Sequence, residues 1–212
     1  VHPAAAIAVL SGPTFAHEVA AGLPTAVTLA CADPDLCAAL ADRLAGPAFR
    51  PYASSDLVGA EIGGAVKNVL AIACGVVEGM NLGQNARAAV IARGYAEMLR
   101  FGLARGARAE TLAGLCGLGD LVLTCSSTSS RNFSLGLALG QGLTAAEALQ
   151  GKTSVAEGAA TAPVLSELAA QDGVAMPIVD AVCRLLSGES PAGTVVADIL
   201  SRPLRAEQEP SA

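Results

Sequence analysis

The chain is 212 residues long, 52% hydrophobic and only 15% charged, with a net charge of −6. That length holds one large domain or one domain plus a smaller piece, and that composition supports a sizeable buried core. The acidic balance and the lack of any Lys/Arg stripe exclude a nucleic-acid surface, which needs clustered cations to neutralise phosphates, though not a small anion held in a local cationic pocket.

Ile7 to Leu10 is a short apolar run stopped by Ser11-Gly12-Pro13, the pattern of a strand running into a tight turn. A short helix is predicted over Thr14 to Ala21, closed by Gly22, and a strand over Ala26 to Ala30. Asp33-Pro34 opens the next helix, with Asp as N-cap and Pro in the first turn; it stops at Gly46-Pro47, and Phe49 to Tyr52 reads as an edge strand. Residues 1–55 are therefore β-α-β-α-β in outline. The start at Val1 rather than Met, close before a strand, is expected of a partial sequence.

After Asp56 the strand signals vanish and helical periods take over. Leu57 to about Met80 carries apolar residues at Ile62, Val66, Val69, Leu70, Ala73 and Val77, one helical face. Asn85 is the predicted cap of a second helix whose inner face holds Val90, Ile91, Tyr95, Met98 and Leu99. A short helix is expected over Glu110 to Cys116. Thr144 and Glu147 form a capping box, and Ala156 to Ala170 and Pro177 to Leu186 are two further helices, with a frayed polar tail from Arg202. The fold class is mainly α: a small α/β unit over 1–55, then an all-α domain over 56–212. Aromatics make up 3% of the chain and Trp is absent, so Ala, Leu and Val must pack this core.

Three segments can carry chemistry. Lys67 has Gly63, Gly64, Ala71 and Cys74 as its helical neighbours, so it lies on a face of tiny side chains that a ligand or another backbone can approach. Two helix glycines cost about 1 kcal/mol each relative to Ala, which something must offset; a lysine snorkelling over a helix contact is the plain alternative. Gly117-Leu-Gly119 is not a nucleotide fingerprint, because it follows a helix and lacks the third glycine. Downstream of it lie Asp120, a hydroxyl-rich stretch and Ser130-Arg131-Asn132; a helix starting near Asn132 would make an anion site from its free N–H groups and Arg131, a Ser/Thr-rich surface loop being the alternative. Val155-Ala-Glu157-Gly158 marks another helix start, where the helix dipole alone accounts for Glu157.

Taken together and in order, Leu10-Ser-Gly-Pro-Thr-Phe-Ala16, Glu61-Ile-Gly-Gly-Ala-Val-Lys-Asn68, Gly117-Leu-Gly-Asp120-Leu-Val-Leu-Thr124, Ser130-Arg-Asn132 and Val155-Ala-Glu-Gly158 closely resemble bacterial NAD(P)-dependent glycerol-3-phosphate dehydrogenase. The resemblance implies a C-terminal portion of that enzyme, with an all-α domain like that of 6-phosphogluconate dehydrogenase behind a remnant of a Rossmann-type domain. It implies reversible hydride transfer between sn-glycerol 3-phosphate and dihydroxyacetone phosphate, feeding phospholipid synthesis. Lys67 is then the proton acceptor and donor. Gly12, Thr14, Lys67, Asp120, Ser130, Arg131 and Asn132 are then the substrate contacts, and Ala16, Arg131, Val155 and Glu157 the cofactor contacts.

The family's glycine-rich βαβ unit, which holds the cofactor's pyrophosphate, has no counterpart in these residues, so the chain alone is expected to bind NAD or NADP weakly and to be inactive. Two other readings share the helical plan: a non-catalytic binding or assembly module, and a related β-hydroxyacid dehydrogenase. Six cysteines without CxxC or Cys/His spacing point to buried reduced thiols and no metal site. The apolar run from Ala65 to Val77 is interrupted by Lys67 and Asn68 and is too short to span a bilayer, and no leader pattern opens the chain. A cytoplasmic location is expected, and a homodimer on family analogy.

Overall fold

The computed structural model describes residues 5–150 and 156–201. Three strands, β1 (Ala8–Ser11), β2 (Thr25–Cys31) and β3 (Phe49–Ser54), form one sheet in the order β1-β2-β3. Strand β1 runs antiparallel to β2, with Ala8 opposite Cys31, and β3 runs parallel to it, with Thr25 opposite Phe49. Between them lie α1 (Ala16–Ala20) and α2 (Pro34–Leu44). The α2 start is built as its sequence requires: the Asp33 carboxylate accepts the N–H groups of Asp35 and Leu36 at 2.9 and 3.1 Å.

The helices are α3 (Leu57–Gly79), α4 (Gly83–Ala104), α5 (Ala109–Ala113), α6 (Asp120–Thr124), α7 (Arg131–Gly140), α8 (Ala145–Leu149), α9 (Glu157–Gln171), α10 (Pro177–Leu186) and α11 (Ala192–Leu200). Helix α3 is the central post, with Val66, Val69, Leu70, Ala71, Ile72 and Cys74 at no exposure. By length and hydropathy it could cross a membrane, but 72% of its apolar window is buried inside the fold, the mark of a core helix. Its N-cap is Asp56, whose carboxylate accepts the N–H of Gly59 and, at 2.8 Å, that of Arg108. These bonds outweigh burial and hold the Asp56 carboxyl below its ordinary range.

Four glycines fasten α7 to α3. A methyl on Gly75 would overlap the Phe133 carbonyl, and one on Gly136 the Ile72 carbonyl; Gly79 and Gly140 repeat this one turn on. The two backbones thus touch directly, which any larger residue would prevent.

Several helix assignments differ from the sequence expectation. Helix α4 begins at Gly83 with no side-chain cap, so Asn85 lies in its first turn; the positive φ of Asn81 and Gly83 makes the turn instead. The helix expected over Glu110 to Cys116 ends at Ala113 and gives way to a wide turn over Leu115–Gly119. Helix α11 was not expected at all; it holds on through Val195, its one buried residue. The tail from Arg202 lies outside the described residues.

Glu97 of α4 is almost fully buried and reaches the start of α10, accepting the N–H groups of Ile178 and Val179 at 2.8 and 3.3 Å. Beside it, Arg100 donates to the Ala175 carbonyl at 3.1 Å. Burial pushes the Glu97 carboxyl up to about 7, against the pull of the two N–H groups and of Arg100. Folding therefore favours the protonated form, a contribution full below the ordinary value of 4.5 and gone once pH has risen past about 7. Urea unfolding across that window should show the native chain losing on the order of 3 kcal/mol relative to Glu97→Gln. Parallel stability profiles for the two chains would contradict this.

Candidate active site

Lys67 sits near the middle of α3, one turn beyond Gly63, and its ammonium forms an ion pair with Asp120, the first residue of α6. The lysine side chain is 18% exposed and the aspartate 1%, so the pair is rooted in the core with only the lysine reaching solvent. Thr124, one turn on from Asp120, donates to its other carboxylate oxygen at 3.2 Å. Burial raises the Asp120 carboxyl above its ordinary range; Lys67 and Thr124 oppose that rise without cancelling it. A partly exposed ammonium backed by such a carboxyl can hold a proton and exchange it with a bound group.

The next residue of α3 opens a second set of bonds. Asn68 is buried; its amide donates to the Gly64 carbonyl at 3.2 Å and to Glu157 at 3.3 Å. Its oxygen accepts from Asn132 at 3.0 Å, and the oxygen of Asn132 accepts the Gly158 N–H at 2.9 Å. Glu157 in turn pairs with Arg131 at 3.4 Å, and both side chains are more than half exposed, 54% for Arg131 and 61% for Glu157. Helices α3, α7 and α9 are thereby stitched together at one level, and Arg131 is tied through Glu157 to Asn68, the residue beside Lys67.

The remaining expected residues divide. Ser130 is the N-cap of α7, its hydroxyl accepting the Phe133 N–H at 3.2 Å, so the helix starts at Arg131, one residue before the expected position. Asn132 points inward rather than toward solvent. Gly12 is packed tightly on the backbone of Val27, and Thr14 donates to the Gly12 carbonyl at 3.2 Å. No bond joins Gly12 or Thr14 to Lys67, yet their loop borders the same face of α3: Ser11 Oγ lies against Gly64, and Pro13 lies against Gly119. Ala16 is exposed at the start of α1. Val155 lies outside the described residues.

None of the expected residues lines the cavity of about 490 Å³ between β2, β3 and α5, whose walls include Thr28, Tyr52, Ser54, Glu110 and Leu115. Sequence reading missed Asn68 and Thr124. Both stood inside the motifs, and the signals were there: a polar residue beside the lysine on an apolar helix, and a hydroxyl one helical turn after the aspartate. All six cysteines are free thiols, five of them buried.

Comparison with known proteins shows the family. The family model for the NAD-dependent glycerol-3-phosphate dehydrogenase C-terminus matches residues 56–197, and the model for the N-terminus of the same enzyme matches residues 1–37. The chain belongs to the NAD-dependent glycerol-3-phosphate dehydrogenase family. It is 71% identical over 210 residues to a glycerol-3-phosphate dehydrogenase [NAD(P)+] of Erythrobacter litoralis, covering 99% of this chain and 63% of that protein. To the enzyme of the same name from Caulobacter vibrioides it is 63% identical over 205 residues, covering 97% and 62%. The crystal structure of glycerol-3-phosphate dehydrogenase from Coxiella burnetii superposes with a TM-score of 0.90 at 45% identity, covering 93% of this chain and 61% of that one. The chain thus spans about three-fifths of the length of these relatives.

Replacing Lys67 by Met should strand a buried carboxylate. The Asp120 carboxyl then rises further, and the loss of stability, about 3–5 kcal/mol for an uncompensated buried charge, is larger at pH 8 than at pH 5, where protonation relieves it. Equal losses in urea unfolding at the two pH values would show that Asp120 is not held ionised by Lys67.

Proposed function

We propose that this chain is the catalytic and phosphate-binding part of an NAD(P)-dependent glycerol-3-phosphate dehydrogenase that interconverts sn-glycerol 3-phosphate and dihydroxyacetone phosphate, supplying the former for phospholipid synthesis. Residues 56–212 are the substrate domain, and residues 1–55 are the end of the dinucleotide-binding domain. One observation supports the reading above the others: the Lys67–Asp120 pair and the bonded set Arg131–Glu157–Asn68–Asn132 meet at adjacent residues of α3.

In the reduction direction the Lys67 ammonium gives a proton to the carbonyl oxygen, and Asp120 holds the amine in place as it does so. In the oxidation direction the amine, once deprotonated, takes the hydroxyl proton. Arg131 receives the phosphate end, because a guanidinium matches two phosphate oxygens at once where an ammonium cannot. Ser130 fixes the start of α7 so that its first free N–H groups share that anion, and Asn132, turned inward, holds α7 to α3.

Glu157, Arg131 and Ala16 are exposed polar or small positions that fit one end of a dinucleotide, and Val155 belongs with them on family likeness. NAD(P), when bound, supplies the hydride donor or acceptor. Among the described residues no segment forms a glycine-rich cradle for its pyrophosphate, so the 212 residues alone should not turn over.

The test uses a protein carrying this chain together with such a dinucleotide unit. There Lys67→Ala should lower kcat by about 10²–10⁴-fold, the usual worth of a positioned proton donor, with KM for dihydroxyacetone phosphate little changed. Normal turnover would end the assignment. Arg131→Lys should instead raise KM for the triose phosphate, and an unchanged KM would remove Arg131 from the phosphate site.

A further inference from the structure

We infer that the wide turn Leu115–Gly119, seated on Gly63 of α3, is the positioning device that aims Asp120 at Lys67, with Gly63 and Gly117 its positioning residues; this rests on the dehydrogenase reading. The turn is not an ordinary loop. The N–H of Gly119 bonds the Gly114 carbonyl at 3.0 Å, five residues back, and the N–H of Asp120 is shared between the Leu115 carbonyl, again five back, and the Gly117 carbonyl three back. An α-helix would bond four back. The wider ring takes one extra residue into the turn, the π-helical arrangement that recurs at functional sites. Each residue of an α-helix turns the chain by about 100°, so without the extra residue Asp120 would leave the turn rotated by about that angle, away from α3.

Two glycines make the wide turn fit. A methyl at Gly63 would fall closer than 3.0 Å to the Cys116 carbonyl and 3.1 Å from the Gly117 Cα, and one at Gly117 would overlap the Leu112 carbonyl. The wide turn therefore rests directly on the α3 backbone, and its carbonyl side meets the helix at Gly63. Lys67 lies one turn further along that same face, level with Asp120, which leaves the turn three residues after Gly117. The neighbouring Gly64 serves another contact: it meets only the Ser11 hydroxyl, at 3.2 Å. The pair of glycines that flags Lys67 in the sequence thus splits into one that seats the turn and one that faces β1.

The experiment combines a measurement on the unmodified chain with one pair of variants. Through-hydrogen-bond NMR couplings on the 212-residue chain should join the Gly119 and Asp120 amides to the carbonyls of Gly114 and Leu115. Acceptors four residues back would overturn the inference. In Gly63→Ala the added methyl pushes the turn off by roughly 1 Å, a misplacement that can cost about 100-fold in rate. The Asp120 carboxyl, read by its 13C shift, should then titrate at higher pH as it loses Lys67, and kcat in the two-domain protein should fall about 100-fold with KM within about threefold. Gly193→Ala on α11, whose methyl meets nothing within 4 Å, should change neither. A folded Gly63→Ala chain with an unchanged Asp120 titration would overturn the assignment; if that chain does not fold, deletion of Leu118, which narrows the turn without adding an atom, is read in the same way. The NMR arms need no substrate, so they fail separately from the dehydrogenase reading, which stands or falls on turnover by Lys67→Ala.

Discussion

The ion pair between Lys67 and Asp120 is the constraint around which the molecule is arranged. Two opposite charges taken out of water lose several kcal/mol of hydration each, and recover it only where the geometry is good and the remaining hydrogen-bonding capacity is filled. Here Thr124 fills one carboxylate oxygen and Lys67 the other, and the whole is sunk until Asp120 is 1% exposed. Burial still leaves the carboxyl raised above its ordinary range, against the pull of Lys67 and Thr124. Such a setting is compatible with the proposed role of Lys67 as proton donor and acceptor.

The composition explains how that geometry is held. A chain with 23 glycines and almost no aromatic bulk cannot fix its helices with large interlocking side chains. It brings backbone against backbone instead: Gly75 and Gly79 of α3 against Gly136 and Gly140 of α7, Gly63 against the Cys116 carbonyl, Gly158 of α9 against the Asn68 carbonyl. Contacts of this kind leave little play, because no side chain can rotate to absorb a shift. The three helices that meet at the site are therefore set by their glycines, and Asn68 and Asn132 satisfy the polar atoms left between them.

Much of this was readable from the residues, and the failures have identifiable physical causes. Asp33-Pro34 and the Thr144/Glu147 box announced their helices because local side-chain bonds start them. The long apolar period marked α3 as the core helix, and the ordered motifs named Lys67, Asp120 and Arg131. The wide turn at Leu115–Gly119 was not legible, because a five-back bonding pattern leaves no periodic signature and depends on α3 pressing against it. The start of α4 was misplaced for a similar reason: backbone conformation at Asn81 and Gly83, not a side-chain cap, begins it. Helix α11 escaped notice because it buries a single residue, Val195. Asn68 and Thr124 gain their meaning only from partners 89 and 4 residues away, and the first of those distances is a fact of tertiary structure.

The most direct measurement is a crystal structure of the two-domain protein with sn-glycerol 3-phosphate bound. The substrate's C2 hydroxyl should lie within hydrogen-bonding distance of Lys67 Nζ, with Asp120 still against the amine and the phosphate oxygens on Arg131. A triose phosphate that touches Arg131 while Lys67 is turned elsewhere, or one bound on another face altogether, would contradict the convergence of these three groups on a single ligand.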